Sequence, residues 1–271
     1  VLSQQYDIDS IDNRDPAAIE RFLPIVESVL QPYFRAEVRG LERVPAGAAL
    51  YVGNHSAGIM TPDSFLFAAA VYRAHGLDGL PYGLANEVGI SLPLVHQLIV
   101  PLGAVRASHT AAHALFARGR KALVYPGGEY DAMRPSRHRN RIVFEGRLGY
   151  LRLAVREGVP IVPVVTAGGH DTFYVLDDGR WLARLLQTDR LLRIKVWPIT
   201  LCLPWGLMIG AGLPYFPFRT RILIETLSPI RFERSGEEAS RDEAYLRACA
   251  LRVESLMQSA LDRLARERDE G

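Results

Sequence analysis

Apolar residues along this chain follow two periods. Residues 48–52, 80–85, 121–125, 159–165 and 221–226 are short, nearly continuous apolar runs, the pattern of strands buried on both faces. Residues 35–40 and 101–106 read as two further strands. Between them the apolar positions recur at helical spacing. Asp15-Pro16 opens a helix with a stripe of Ile19, Phe22, Leu23, Val26 and Leu30, by the rule that places a capping side chain before proline at the first helical position. Thr61-Pro62 is read the same way, as an N-cap and first helical residue of a helix to about Ala74. Further helices are expected over 87–99, from a Ser108 cap to about Arg118, over 146–157 and over 240–268. Strands alternating with helices at this spacing predict an α/β fold with a mixed, largely parallel sheet flanked by helices. The chain divides into a loose polar arm (1–14) with an amphipathic helix up to residue 34, a main domain over 35–235 and a C-terminal helical segment over 236–271.

Residues 196–218 carry no charge, which raises the possibility of a membrane span. They also hold Pro198, Pro204, Pro214 and Pro217, with Gly206, Gly210 and Gly212. So many breakers exclude a straight spanning helix. A hydrophobic hairpin fits, either packed on the core or dipping into a bilayer interface, where Trp197, Trp205 and Tyr215 would suit the boundary.

The 271 residues suffice for one sizeable core, and a formal net charge of +2 gives no global argument for nucleic acid. Cys202 and Cys249 are the only cysteines and lie in apolar or helical surroundings, which fits a reducing compartment rather than a disulfide scaffold. No signal peptide is visible at the N-terminus. The sequence has no G-x-S-x-G elbow, Walker A loop or dinucleotide fingerprint. His109 and His113 stand four apart on an expected helix, but with no third ligand in view they read as a solvated face. No metal or cofactor is expected.

The chemistry concentrates at strand ends. His55 follows the 48–52 strand, before the small residues Ser56-Ala57-Gly58, and Asp63 lies in the first turn of the next helix. An imidazole and a carboxylate so placed can meet across the loop as a general base and its orienting partner. Taken alone, the stretch is as well explained by a loop histidine and a favourable charge at a helix N-terminus. Arg106 and Gly127-Gly128 also follow expected strands, and in parallel sheets ligands bind beyond the carboxyl ends.

Four stretches stand in a telling order: Gly53-Asn54-His55-Ser56 with Pro62-Asp63, then Pro101-Leu102-Gly103-Ala104-Val105-Arg106, then Val124-Tyr125-Pro126-Gly127-Gly128-Glu129, and last Val159-Pro160-Ile161-Val162-Pro163-Val164. This order resembles the four blocks of the glycerolipid acyltransferases, the superfamily of lysophosphatidic acid and diacylglycerol acyltransferases. The resemblance spans roughly residues 35–230. It implies that His55 is the general base on the acceptor hydroxyl and Asp63 its partner. In the usual block four residues separate the two, and that position holds Met60; Asp63 comes after seven, similar to NHSGG-type variants. The third block, usually Pro-Glu-Gly-Thr, reads Pro126-Gly127-Gly128-Glu129, closer to the diacylglycerol and monoacylglycerol branch.

The resemblance implies a membrane-associated enzyme of the cytoplasmic side, peripheral or monotopic. It would move a fatty acyl group from a thioester donor, acyl-CoA or acyl-carrier protein, to a hydroxyl of a glycerolipid or lysophospholipid. Such a donor is already activated, so no covalent nucleophile is needed; the enzyme must deprotonate the attacking group, hold the thioester oxygen and neutralise phosphates. Asn54, Arg106, Gly127, Gly128, Glu129, Arg134 and Arg137 are the expected substrate-binding residues. Gly127-Gly128 could present backbone N–H groups to an oxyanion or phosphate. Between 132 and 147 the chain has Arg134, Arg137, Arg139, Arg141 and Arg147 against one glutamate. Arg134 and Arg137, nearest the loop, would grip phosphate, with Arg106 completing the patch from a neighbouring strand. The competing reading is a catalytically weak or inactive lipid-binding protein that retains the fold.

Overall fold

The computed structural model describes residues 5–55, 58, 60–188, 195–210 and 214–270. Ser56 and Ala57 of the expected loop, the first four residues of the arm, and positions 211–213 of the uncharged run lie outside the described residues.

Seven strands form the main sheet: β1 (Glu37–Arg39), β2 (Ala49–Gly53), β3 (Tyr82–Ala85), β4 (Ala104–Arg106), β5 (Lys121–Val124), β6 (Ile161–Ala167) and, later in the chain, Leu223–Thr226. After the three further strands given below, that last one is β10. Their order across the sheet is β1-β10-β6-β2-β5-β3-β4. All neighbours run parallel except β10 against β6, so the sheet is mixed and largely parallel, as the periodicity predicts.

β2 sits between β5 and β6 and is buried along its whole length. Leu50 and Val52 point into a core shared with helices His109–Ala117, Gly149–Glu157 and the C-terminal Glu243–Glu270. Ala49 and Tyr51 point into the opposite core, against Leu23 and Val26 of the N-terminal helical segment and Leu66, Phe67 and Val71 of helix Pro62–Gly79. A strand covered on both faces has no polar side to show, which is why it reads as one apolar run.

Three boundaries differ from expectation. Thr61 does not cap its helix: it sits in the left-handed region with no side-chain capping bond, so Pro62 alone marks the start. The stretch 87–99 is two helices, Glu87–Ile90 and Pro93–Ile99, because Pro93 lacks the N–H to continue the first and instead opens the second. The arm is tied down over its described part. Ser10 caps a short turn at Ile11–Asn13, Tyr6 N–H donates to His96 Nε2 at 3.0 Å, and the Arg14 guanidinium lies 3.4 Å over the Tyr82 ring.

The uncharged run contributes to a second, antiparallel sheet of β7 (Tyr174–Asp177), β8 (Ile199–Cys202) and β9 (Gly206–Ile209). It is a hairpin, as its breakers require. One face packs Val175, Cys202 and Met208 on Ala132, Met133, Phe173 and Tyr215. Among the described residues no helix is long and apolar enough to cross a membrane.

Candidate active site

The carboxyl ends of β2 and β5 are neighbours in the sheet centre, and the candidate residues gather there. Gly53 closes β2. A Cβ on it would lie 2.5 Å from Cε1 of Tyr125, so glycine is what lets the Tyr125 ring cross the strand end. That ring meets the His55 imidazole at 4.7 Å between centroids, tilted by 38°. The Tyr125 hydroxyl is 2.6 Å from Ser64 Oγ, in the first turn of the helix that carries Asp63. Burial, with Asp63 close by, pushes the phenol upward.

His55 is held by its main chain. Its N–H donates to the Asp131 carboxylate, and its carbonyl accepts from Arg134 Nη1 at 2.9 Å. Asp131 and Arg134 are themselves an ion pair at 2.7 Å, both inaccessible to solvent. Burial pushes the Asp131 carboxyl up to about 6, against the pull of Arg134 and of the His55 and Val143 N–H groups. The carboxyl remains ionised at neutral pH. Asp63 is buried as well, and its charge acts on Tyr125, Asp131 and Arg134. Beneath Arg134, His170 donates from Nε2 to the Arg134 carbonyl at 2.6 Å, which fixes its tautomer and leaves a buried Nδ1 unpaired. Burial and the Arg134 charge hold His170 well below its ordinary pKa.

Arg134 is therefore not a phosphate ligand. Its Nε donates to His138 O, Nη1 to His55 O, Asp131 O and Asp131 Oδ1, and Nη2 to Arg139 O. Each donor nitrogen is already bonded and the side chain is 3% exposed, so an incoming phosphate would find neither access nor a free donor. Arg106 does not complete the patch either. β3 lies between β4 and β5, and the Arg106 guanidinium is bound to Asp9 and faces Glu87. Asn54 is buried in a reciprocal bond with Thr166 across β2 and β6, 2.9 and 2.8 Å. It fastens the strand end rather than facing a ligand.

Gly127 is forced by packing: a Cβ would lie 2.2 Å from Val143 O and 2.3 Å from Asp131 Cβ. The Gly128 N–H donates to Tyr125 O at 3.1 Å inside the turn and so is not available to an oxyanion. Glu129 is exposed and paired with Arg147 at 3.2 Å. Arg137 is exposed, and its Nε donates to His138 Nε2 at 3.3 Å. Among the described residues no carboxylate pairs with Arg137 or with the exposed Arg141. His113 bonds Glu157 at 2.8 Å.

The sequence reading missed Asp131, Tyr125 and His170. An acid and an arginine three apart at a helix start, Asp131 and Arg134, are a pair that helical spacing could have flagged.

Residues 35–167 match the family model described as Acyltransferase. Over that stretch the chain is similar to the glycerolipid acyltransferases. An uncharacterized protein of Mycobacterium tuberculosis is 32% identical over 224 residues, covering 82% of this chain and 60% of the relative. The diacylglycerol O-acyltransferase 2B of Umbelopsis ramanniana is 25% identical over 182 residues, 65% of this chain and 52% of that protein. The chain thus spans little more than half the length of these relatives. The crystal structure of the 1-acyl-sn-glycerophosphate acyltransferase of Thermotoga maritima superposes with a TM-score of 0.53 at 19% identity, over 92% of this chain and 81% of that one. That likeness is one of fold.

Proposed function

We propose that the chain is an acyltransferase moving a fatty acyl group from a thioester donor, acyl-CoA or acyl-carrier protein, to a hydroxyl of a glycerolipid or lysophospholipid. One observation carries this reading. A histidine at the carboxyl end of a central parallel strand has both its N–H and its carbonyl gripped by a buried ion pair. Fixing the main chain at both groups sets the point at which the imidazole leaves the end of β2. His55 then takes the proton of the acceptor hydroxyl as it attacks the thioester carbonyl, and the tetrahedral adduct collapses by breaking the C–S bond, the sulfur leaving as a thiol with the proton His55 returns. Asp63, buried in the next helix's first turn, is the partner that stabilises the imidazolium. Because the donor is activated, the site needs no covalent intermediate, and the tetrahedral oxyanion is the species to be stabilised.

An apolar cavity beside the site could take the first part of the acyl tail. Phe22, Phe65, Ile99, Leu102 and Leu123 line an apolar cavity of about 140 Å³ beside Ser64, the residue whose hydroxyl meets Tyr125. Relatives named as a diacylglycerol O-acyltransferase and a 2-acylglycerol O-acyltransferase support a glyceride acceptor.

A lipid-binding protein without turnover is the competing reading, favoured by the seven residues between His55 and Asp63. Thiol release from acyl-CoA, followed over a panel of monoacylglycerol, diacylglycerol and lysophospholipid acceptors, decides between them. Acceptor-dependent release that disappears in His55→Ala supports the enzyme. Tight acyl-CoA or glyceride binding with no release in the intact chain overturns it.

A further inference from the structure

The outer face of the β7–β8–β9 sheet is built against the rule for antiparallel sheets in water. Such a sheet alternates, apolar toward the core and polar toward solvent. Here Val175, Thr200, Cys202 and Met208 point inward, yet the outward positions are apolar too. Tyr174 pairs with Leu201 and Leu201 with Leu207, a row crossing all three strands; Ile199 pairs with Ile209 beside it. Leu207 and Ile209 are 63% and 58% exposed. The hairpin tip extends the row. Leu203 bridges Phe216, Trp205 donates from Nε1 to Pro214 O at 2.7 Å, and Phe216 is 69% exposed. From there Pro217 O accepts from Tyr33 at 2.7 Å, which joins the patch to Ile25, Val29 and Tyr33, three exposed residues four apart on the N-terminal helical segment. Apolar surface this contiguous marks an interaction site.

We propose that this face docks the protein on a bilayer containing anionic lipid. Two features select a membrane over a second copy or a protein partner. Trp181, Trp205 and Tyr174 stand among the aliphatic residues, all about half exposed, and amphipathic rings of this kind belong at a membrane–water boundary. Arg184 and Arg219 are exposed, and among the described residues neither has a carboxylate partner; Lys195 is exposed, its Nζ 6.0 Å from the Tyr130 ring centroid. Cations left unpaired around an apolar face complement anionic headgroups. Among the described residues here, Asp177 accepts from Gly179 N and Trp181 Nε1, and Asp178 pairs with Arg180.

The face also has the right address. The inner side of the same sheet packs on Ala132 and Met133, flanked by Asp131 and Arg134, which hold His55. Docking would bring the candidate site to the headgroup plane, where a glyceride acceptor resides. In that respect the inference rests on the acyltransferase reading, but its test does not require turnover.

The test sediments the full chain with vesicles of phosphatidylcholine alone or mixed with phosphatidylglycerol. The wild type should pellet with the mixed vesicles. Leu207→Asp combined with Ile209→Asp should lower the bound fraction at least tenfold, with an unchanged melting transition. Arg184→Ala with Arg219→Ala should weaken binding to mixed vesicles and remove its salt dependence. Leu94→Asp, in a separate exposed apolar patch on helix Pro93–Ile99, is the control and should bind normally. The proposal falls if the Leu207/Ile209 variant pellets like wild type, if Leu94→Asp alone abolishes binding, or if the wild type ignores vesicles. It also falls if the wild type is an oligomer that the Leu207/Ile209 variant converts to monomer without any vesicle binding. Absent turnover with intact vesicle binding would instead refute the acyltransferase reading alone.

Discussion

Arg134 donates from Nη1 to the main-chain carbonyl of His55 at 2.9 Å, while its ion-pair partner Asp131 takes the N–H of the same residue. The pair is a backbone clamp, and its loss has a distinctive signature. Arg134→Ala leaves the buried Asp131 without its counter-charge, so the carboxyl must either stay ionised in the interior or take up a proton, and breaking a buried pair in this way costs about 3–5 kcal/mol; urea melts should read this directly. The double change Arg134→Met with Asp131→Leu removes both charges and should recover much of that stability without recovering turnover. Recovery of both would show that the clamp does not position His55.

The clamp also marks where sequence reasoning stopped. β2, β5 and β6 were legible because burial on both faces leaves uninterrupted apolar runs, and the motif order placed His55, Asp63 and Gly127 in one neighbourhood. Arg134 looked like one arginine among five in a basic segment, and composition cannot tell a solvated guanidinium from one wrapped in carbonyls. Asn54 read as a ligand because its partner, Thr166, is set by the β2–β6 pairing and lies 112 residues away. Chain order does not reveal that β3 intervenes between Arg106 and the site.

For the proposed chemistry, His55→Ala should lose roughly 10²–10⁴ in turnover with the melting transition kept, since its anchors are main-chain groups. Asp63→Asn should lose a comparable amount if it orients the imidazole. A rise in KM alone, with kcat unchanged, would count against a base–partner pair.

Gly127→Ala is expected to be damaging although the change is small. The added methyl group would meet a main-chain oxygen at 2.2 Å and the Asp131 Cβ at 2.3 Å, and neither can move without disturbing the clamp. Overpacking of this kind costs about 1–3 kcal/mol. Gly146→Ala, with nothing within 4 Å of its Cβ position but a φ of +66°, separates backbone strain from crowding, and only Gly127→Ala should lower turnover per folded molecule.

His170 supplies a pH dependence of known sign. Its folded pKa lies well below the ordinary 6.5, so as pH falls through about 6.5 the unfolded chain takes up a proton that the folded chain refuses. Stability is therefore full above that pH and is lost on acidification. His170→Gln, which keeps a donor for the Arg134 carbonyl and cannot titrate, should flatten this part of the stability profile. Denaturant midpoints measured either side of pH 6.5 test it, and an unchanged slope would assign the loss to other groups.

The last prediction concerns what replaces Arg134 as a phosphate contact. Arg137 and Arg141 remain exposed, close in sequence to the clamp, with no carboxylate partner among the described residues. Arg139 and Arg147 are less available, being engaged with Asp171 and Glu129. A guanidinium free of ion pairs can present its planar fork to phosphate without first breaking a bond. If these two grip the phosphates of the donor, Arg137→Ala with Arg141→Ala should raise KM for acyl-CoA by roughly tenfold for each contact worth about 1.4 kcal/mol, with little change in kcat. The wild-type KM should rise with ionic strength, and the variant should lose that dependence. An acyl-pantetheine thioester has the same reacting carbonyl but no phosphate, so its KM should be insensitive to both substitutions. If KM rises equally for acyl-CoA and acyl-pantetheine, the two arginines act on the fold of the 136–147 segment and not on phosphate. If it rises only with phosphorylated acceptors, the contact is with the lipid headgroup and the donor is held elsewhere.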